Sequence, residues 1–285
     1  MHTVTKSVSL VRAPLMPPEQ LEAAAKRRRI RNRVLGISVP LALLALWEIG
    51  AWVGFVDRRY FPPPSASLVR GGEMFVTGEI LDDTFATLYR IVVGFLIGAI
   101  LGLVAGVTMG WSTVLRAALE PMLNALYVVP KLAILPIFLT IFGFGEAPII
   151  AIVAVSVFFF VWIHTMEAVS PLAVGYREAA RSFGASRSQL FIHVVFPAAL
   201  PKIAIGLRVS MGVAVLVVVG GEFIVGSSGI GYMIFNSRSL FRLEETYAGI
   251  LLVSIIGVVL QFLVRWIGTK LTPWEAHERR VSTGY

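Results

Sequence analysis

The sequence contains no cysteine. Disulfides, thiolate metal sites and a cysteine nucleophile are therefore excluded, although that absence names no compartment. Charge is also scarce: 15% of the residues are charged against 56% hydrophobic, with a mean hydropathy of +0.80. Such a balance is far from that of a soluble domain and reads as a membrane protein. The few histidines, His2, His164, His193 and His277, show no H-E-x-x-H or similar ligand spacing, so no metal centre is expected. A G-x4-G-K-[ST] phosphate loop is missing, which argues against ATP hydrolysis by this chain alone. G-x-S-x-G is missing too, leaving Ser156 and His164 as one weak candidate pair for an intramembrane hydrolase.

What is present is long apolar runs. A bilayer core takes roughly 20 apolar residues as a helix, and six stretches fit, at about 34–56, 86–110, 118–142, 147–167, 203–226 and 247–268. The basic cluster KRRRIRNR at 26–33 could be mistaken for the start of a signal peptide. Its following apolar run is too long and has no close small-residue cleavage site, so a retained transmembrane helix is expected.

Net charge is +8, with basic residues on the flanks of the spans rather than interleaved with exposed aromatics, which disfavours nucleic acid as a partner. With the N-terminus inside, the inner segments and span ends carry fifteen Lys and Arg counted from Lys26 onward, and the outer ones five (Arg58, Arg59, Arg70, Arg238 and Arg242). Positive loops are retained in the cytoplasm, so both termini are expected there. The expected organisation is a cytoplasmic tail over 1–33, a six-span domain over 34–270 and a second cytoplasmic tail over 271–285. Three prolines in FPPPSA at 61–66 imply extended backbone before a short outer helix. The second span carries Gly94, Gly98, Gly102, Gly106 and Gly110 at a strict four-residue step, a stripe that lets another helix approach closely.

Between the fourth and fifth spans, EAARSFGASRSQLFIHVVFP (178–197) interrupts the apolar pattern on the expected inner side. It reads as helix, a break at Gly184, a second short helix with Leu190, Phe191, Val194 and Val195 on one face, and a stop at Pro197 and Pro201. Two short helices forming an amphipathic elbow could dock into a groove on another protein, or simply fold against the membrane surface.

Glu178, Ala179, Ala180, Gly184, Val194, Phe196 and Pro197 match the spacing of a known motif. The segment, near 176–201, resembles the EAA loop of the membrane subunits of bacterial ABC importers, with Val194 and Phe196 replacing the usual isoleucine and leucine. FPPPSA, TLYRIVVGFLIGAILGLVAGVTMGW, VPKLAILPIFLTIFGFGEAP and GEFIVGSSGIGYMI resemble the nitrate, sulfonate, taurine and bicarbonate branch of these permeases. The resemblance implies an all-α, polytopic, type I importer-like fold in the bacterial inner membrane. It further implies a separate ATPase that binds ATP and Mg and receives the EAA loop, an extracytoplasmic binding protein, and a second permease subunit forming a homodimer. No cofactor is implied for this chain. An anionic solute is the leading expectation; an uncharged vitamin or pyrimidine precursor, and more remotely an ion-coupled transporter, are the alternatives.

Ionisable residues inside spans are functional candidates by default. Lys131 follows Pro130 in the third span, where Pro121 and Pro136 should also bend or interrupt the helix. A lysine beside freed N–H groups could hold an anionic solute; alternatively it pairs with a carboxylate or with carbonyls. Glu222 is expected to act as a gate or to pair with Arg238 or Arg242. Glu48 is expected to be structural, and Arg208 to snorkel or touch the elbow. The segment after Glu222, GSSGIGYMIFNSRSLFRLEE, is expected on the outer side, as a plain surface helix or else as a contact for the binding protein or the outer rim of the pore.

Overall fold

The computed structural model describes residues 18–274, apart from the side chains of 18–25, 171–177 and 179–181. The described regular structure is helical throughout. Two compact units divide the chain, Met1–Ser65 and Ala66–Tyr285.

In the first unit, α1 (Pro18–Val53) begins well inside the segment expected as a tail, because EQLEAAAKRRR is built of strong helix formers that continue into the span. The rest of that tail and most of the C-terminal one, 1–17 and 275–285, lie outside the described residues. Glu48 has the structural role expected of it: its carboxylate accepts from the backbone N of Ser65 at 3.0 Å and from Ser65 Oγ at 2.6 Å. It thereby supplies acceptors at the start of α2 (Pro64–Thr77), where backbone donors lack helical partners.

The second unit is a helix bundle. Helices α3 (Leu81–Trp111), α6 (Glu146–Ser182), α8 (Phe196–Val225) and α10 (Leu243–Leu271) are long and apolar enough to cross a membrane, as is Lys26–Val53 of α1. A sixth candidate is the pair α4 (Thr113–Val128) and α5 (Leu135–Phe142), which meet at an 89° bend as in a broken span or a re-entrant loop; a 3-10 turn, Lys131–Ile134, follows Pro130 there. Pro130 breaks the helix because its nitrogen has no proton and its ring crowds the preceding turn.

The glycine stripe of α3 lies against α6. A Cβ on Gly102 would sit 2.8 Å from the carbonyl oxygen of Phe158, and one on Gly106 would sit 2.8 Å from that of Trp162. Backbone therefore meets backbone, the close packing that holds helices together where lipid offers little hydrophobic drive. Ile152, Val153, Val157, Ala214, Val218 and Ile230 fill the core around this seam.

Two expectations for 178–201 are corrected. Helix α6 runs unbroken to Ser182, so the first half of the elbow is the end of a span rather than a separate short helix. Neither Pro197 nor Pro201 stops the second half: α7 (Arg187–Leu190) passes through a π turn, Phe191–Val195, directly into α8. The π turn widens the coil so that the N–H of Phe196 reaches back to Phe191 O, and Pro197 enters as an early residue of α8, where a missing N–H costs least. Pro201 is carried inside α8.

The expectation for the segment after Glu222 is corrected as well. Helix α9 (Ile230–Ser239) buries Ile230, Gly231, Met233, Ile234 and Ser237 instead of lying as a plain surface helix.

Candidate functional site

At one end of the bundle, α6 and α7 form the elbow. Gly184 turns the chain at φ +75°, a region that disfavours side chains bearing Cβ, while nothing lies within 4 Å of the Cβ it lacks. Conformation, not space, thus requires glycine there. Ser186 starts α7 with a capping box: its hydroxyl accepts from Gln189 N at 3.3 Å, and the Gln189 side chain accepts from Ser186 N at 2.9 Å. Leu190 and Val195 are buried with Ala168, Val169, Ala199 and Ile203, and Val194 packs against that cluster. Phe191 meets Trp111 of α3 edge to face at 5.1 Å. The inner side of the elbow is thereby fixed to the ends of α3, α6 and α8.

Its outer side is open. Phe183 is 91% exposed, and Ile192 and Phe196 are exposed as well. Glu178 is exposed on α6, and Pro197 is half-buried. The side chains of Ala179 and Ala180 lie outside the described residues.

At the broken span, Lys131 points its ammonium at the end of α4. Nζ donates to the carbonyls of Leu126 at 3.0 Å, Tyr127 at 2.7 Å and Val129 at 2.8 Å, and stands 4.5 Å from the centre of the Phe159 ring. An ammonium has three N–H donors, so the chain's own backbone occupies all of them. Of the two readings open for Lys131 in the sequence, the geometry displays pairing with carbonyls.

The opposite end of α3, α6 and α8 holds a buried ionic clamp. Arg90 of α3, 2% exposed, donates from Nη1 to Glu222 Oε1 at 2.6 Å and to Ser228 O at 2.8 Å. Its Nη2 donates to Ser228 Oγ and to Glu146 Oε1, each at 2.8 Å, and its Nε bonds Glu146 Oε2. Glu222 is fully buried and also accepts from Thr87 Oγ1 and from Gly231 N at 2.8 Å. The expected partners Arg238 and Arg242 do not hold Glu222; Arg242 is 3.9 Å from Glu245 instead. Glu222 faces the start of α9, at Gly231, whereas Arg238 stands near the other end of that helix and is exposed, as is Arg242 beyond it.

Asp83 completes the clamp by accepting from Gly229 N at 2.6 Å, and Thr87 Oγ1 accepts from Ile230 N at 2.8 Å. Gly229 adopts φ +107°, and a Cβ there would run into the Glu222 carboxylate and Arg90. One arginine thus ties α3, α6, α8 and the α8–α9 turn together. Arg90 escaped the sequence reading, although TLYRIVVG places an arginine one turn into an apolar run, which was signal enough to include it.

Outside the spans, Arg70 of α2 bonds Glu245 at 3.0 Å, with Glu79 at 3.2 Å and Glu73 at 3.4 Å. The hydrogen bond to Glu245 raises its pKa above the usual arginine value, against the opposing effect of burial.

The described residues contain no catalytic pairing of the candidate hydrolase type. Ser156 bonds Ile152 O at 2.7 Å and His164 Nδ1 lies 2.7 Å from Phe160 O, so each is engaged by its own helix. No described group of His, Asp and Glu could hold a metal ion.

Comparison with known proteins agrees with this architecture. Residues 94–274 match the family described as binding-protein-dependent transport system inner membrane component. A putative aliphatic sulfonates transport permease protein, SsuC of Bacillus subtilis, is 33% identical over 261 residues, covering 91% of this chain and 95% of that protein. The taurine transport system permease protein TauC of Escherichia coli is 30% identical over 249 residues, covering 86% and 90%. Among solved structures, inward-facing MetNI, a methionine ABC transporter, aligns with a TM-score of 0.58 at 21% identity, over 66% of this chain and 94% of that one. An amino acid ABC transporter aligns with a TM-score of 0.53 at 17% identity, over 73% and 96%. Those two likenesses show the fold, that of type I ABC importer permeases. The chain belongs to the family of binding-protein-dependent transport system inner membrane components, and is a multi-pass permease of the inner membrane.

Proposed function

We propose that this chain is the permease subunit of an ATP-driven importer for a small sulfonate-type anion, taurine and alkanesulfonates being the leading class. The observation that carries the coupling half of this reading is the elbow. A positive-φ glycine, a capping box and a buried inner face hold it rigid, while Phe183, Ile192 and Glu178 face outward and unencumbered. A rigid amphipathic projection fits a cleft on a separate ATPase, which would bind ATP and Mg. Glu178, Ala179, Ala180, Gly184, Val194, Phe196 and Pro197 are its coupling residues in this reading. The solute class rests on the sulfonate and taurine permeases to which the chain is similar.

An extracytoplasmic binding protein delivers the solute, and a second copy of the chain completes the pathway. Helix α4 buries none of its residues against its own chain, and Leu119, Met122, Leu126, Ile137 and Ile141 of α4 and α5 are exposed. That face suits an isologous contact. Alternating access then follows from ATP-driven movement of the elbow, which shifts the ends of α3, α6 and α8 to which it is fixed. The elbow faces the cytoplasm and the Arg90 clamp faces outward.

The test is reconstitution of the permease with its ATPase in liposomes, with taurine or ethanesulfonate supplied on its binding protein. ATP-dependent accumulation of the sulfonate supports the reading. Accumulation of an uncharged solute in its place overturns the solute class, and a permease that retains no ATPase overturns the coupling.

A further inference from the structure

Lys131 sits where α4 ends, at the 89° bend between α4 and α5. The C-terminus of α4 gathers three carbonyl oxygens at 2.7 to 3.0 Å from a single ammonium, with the Phe159 ring on another side at 4.5 Å. The carbonyl end of a helix carries roughly −0.5 elementary charge. The start of the next helical piece, at Lys131, carries the opposite partial charge, so without the ammonium the break is close to neutral. The added ammonium brings the sum to roughly +1. All three ammonium protons are committed to backbone, so the side chain is built to hold its charge in place rather than to reach for a ligand.

The break is not covered by the rest of the chain. Val128, Val129 and Leu132 are exposed on either side of it, and Leu132 approaches α8 at Gly220, where a Cβ would come within 2.8 Å. The charge is therefore carried on a rigid corner between the broken span and α8. We propose that Lys131 is a specificity-determining residue that acts through the backbone: its ammonium neutralises the negative end of α4 and leaves the break with a net positive potential, so that the broken span attracts an anionic solute. The inference rests on the anionic solute class proposed above.

Loss of one elementary charge acting at about 8 Å, with an effective dielectric near 20, corresponds to roughly 30-fold in the ease of anion passage. The experiment uses the complete transporter in liposomes, with ethanesulfonate-loaded binding protein, and reads solute moved per ATP hydrolysed. A purely structural role would lower solute and ATP turnover together and leave that ratio unchanged. Lys131→Met is expected to lower the ratio roughly 30-fold, and Lys131→Arg, which keeps the charge, to stay within a few-fold of the parent. An unchanged ratio in Lys131→Met, or an equal fall in Lys131→Arg, overturns the proposal.

Should Lys131→Met fail to assemble, Lys131→Ala with n-butylammonium in the buffer serves instead. Recovery of the ratio by n-butylammonium but not by n-butanol supports the role of charge; recovery by both or by neither overturns it. Transport that the unaltered complex performs only on an uncharged solute removes both this inference and the solute class. Anion transport with an unaltered ratio in the variants removes this inference alone.

Discussion

The Arg90 guanidinium and the Glu222 carboxylate meet at 2.6 Å across 132 residues of sequence, with side chains 2% and 0% exposed. Taking two charges out of water is costly, and their attraction offsets that cost only when the remaining donors and acceptors are also satisfied. Here they are, by Thr87, Ser228, Gly231 and Glu146. Removing one partner leaves a buried charge unmatched. Arg90→Met is therefore expected to destabilise the bundle by about 3–5 kcal/mol, and Arg90→Met with Glu222→Met together to cost less than the two changes summed. A double-mutant cycle on denaturant unfolding in detergent checks this, with additivity as the contrary result.

The α3–α6 seam makes a second test. A Cβ on Gly102 would stand 2.8 Å from the carbonyl oxygen of Phe158, closer than real Cβ atoms come, and 3.1 Å from the amide of Trp162, and backbone cannot yield as a flexible side chain can. Gly102→Leu should force the helices apart, cost at least about 1–3 kcal/mol as overpacking does, and lower the yield of assembled permease. Gly72, with nothing within 4 Å of its missing Cβ, provides the control: Gly72→Ala should leave the yield unchanged. Equal yields for the two variants would mean that the seam can open without penalty.

Much of this architecture was legible because bilayer thickness imposes a length. Five expected spans fell on helices long and apolar enough to cross, the third became the bent pair α4 and α5, and the glycines of α3 announced their own packing seam. Proline was read less well. Pro130 does break its span, but Pro197 and Pro201 do not stop α8, because a π turn admits the first and a long packed helix tolerates the second. Local sequence signals a missing donor; only tertiary packing decides whether the helix ends or absorbs the loss. Glu222 shows the same limit. Arg238 and Arg242 follow it closely in sequence, yet the partner comes from α3, because the start of α9, and not the end that carries Arg238, lies against Glu222.

Orientation is open to direct chemical measurement, since the chain has no cysteine of its own. Ser239 at the end of α9 and Ser188 in α7 are both exposed and lie toward opposite ends of the bundle. Ser67 of α2 is unsuitable because it is buried. Single cysteines at 239 and 188 should react with an impermeant maleimide from opposite sides, 239 from outside intact cells and 188 only after permeabilisation. Labelling of both from outside would contradict the six-span topology and the cytoplasmic placement of the elbow.

The sharpest test of the elbow separates its conformation from its composition. Gly184 holds φ +75° with open space around it, so a substitution meets no neighbour and its whole effect comes from the backbone. Asparagine visits that region more readily than other side chains, whereas valine, branched at Cβ, resists it. Gly184→Asn should therefore keep the turn and most of the transport. Gly184→Val should cost roughly 1–2 kcal/mol locally, swing α7 away from the end of α6, and release the ATPase while leaving α3, α6 and α8 folded. The measurements are co-purification of the ATPase and thermal unfolding of the permease, made on the same preparations. A Gly184→Val permease that melts normally and has lost the ATPase would show that the turn exists to aim the outer face of the elbow. One that keeps the ATPase and transports at the parental rate would show that Phe183, Ile192 and Glu178 do not need aiming, and the coupling role of the segment would fall.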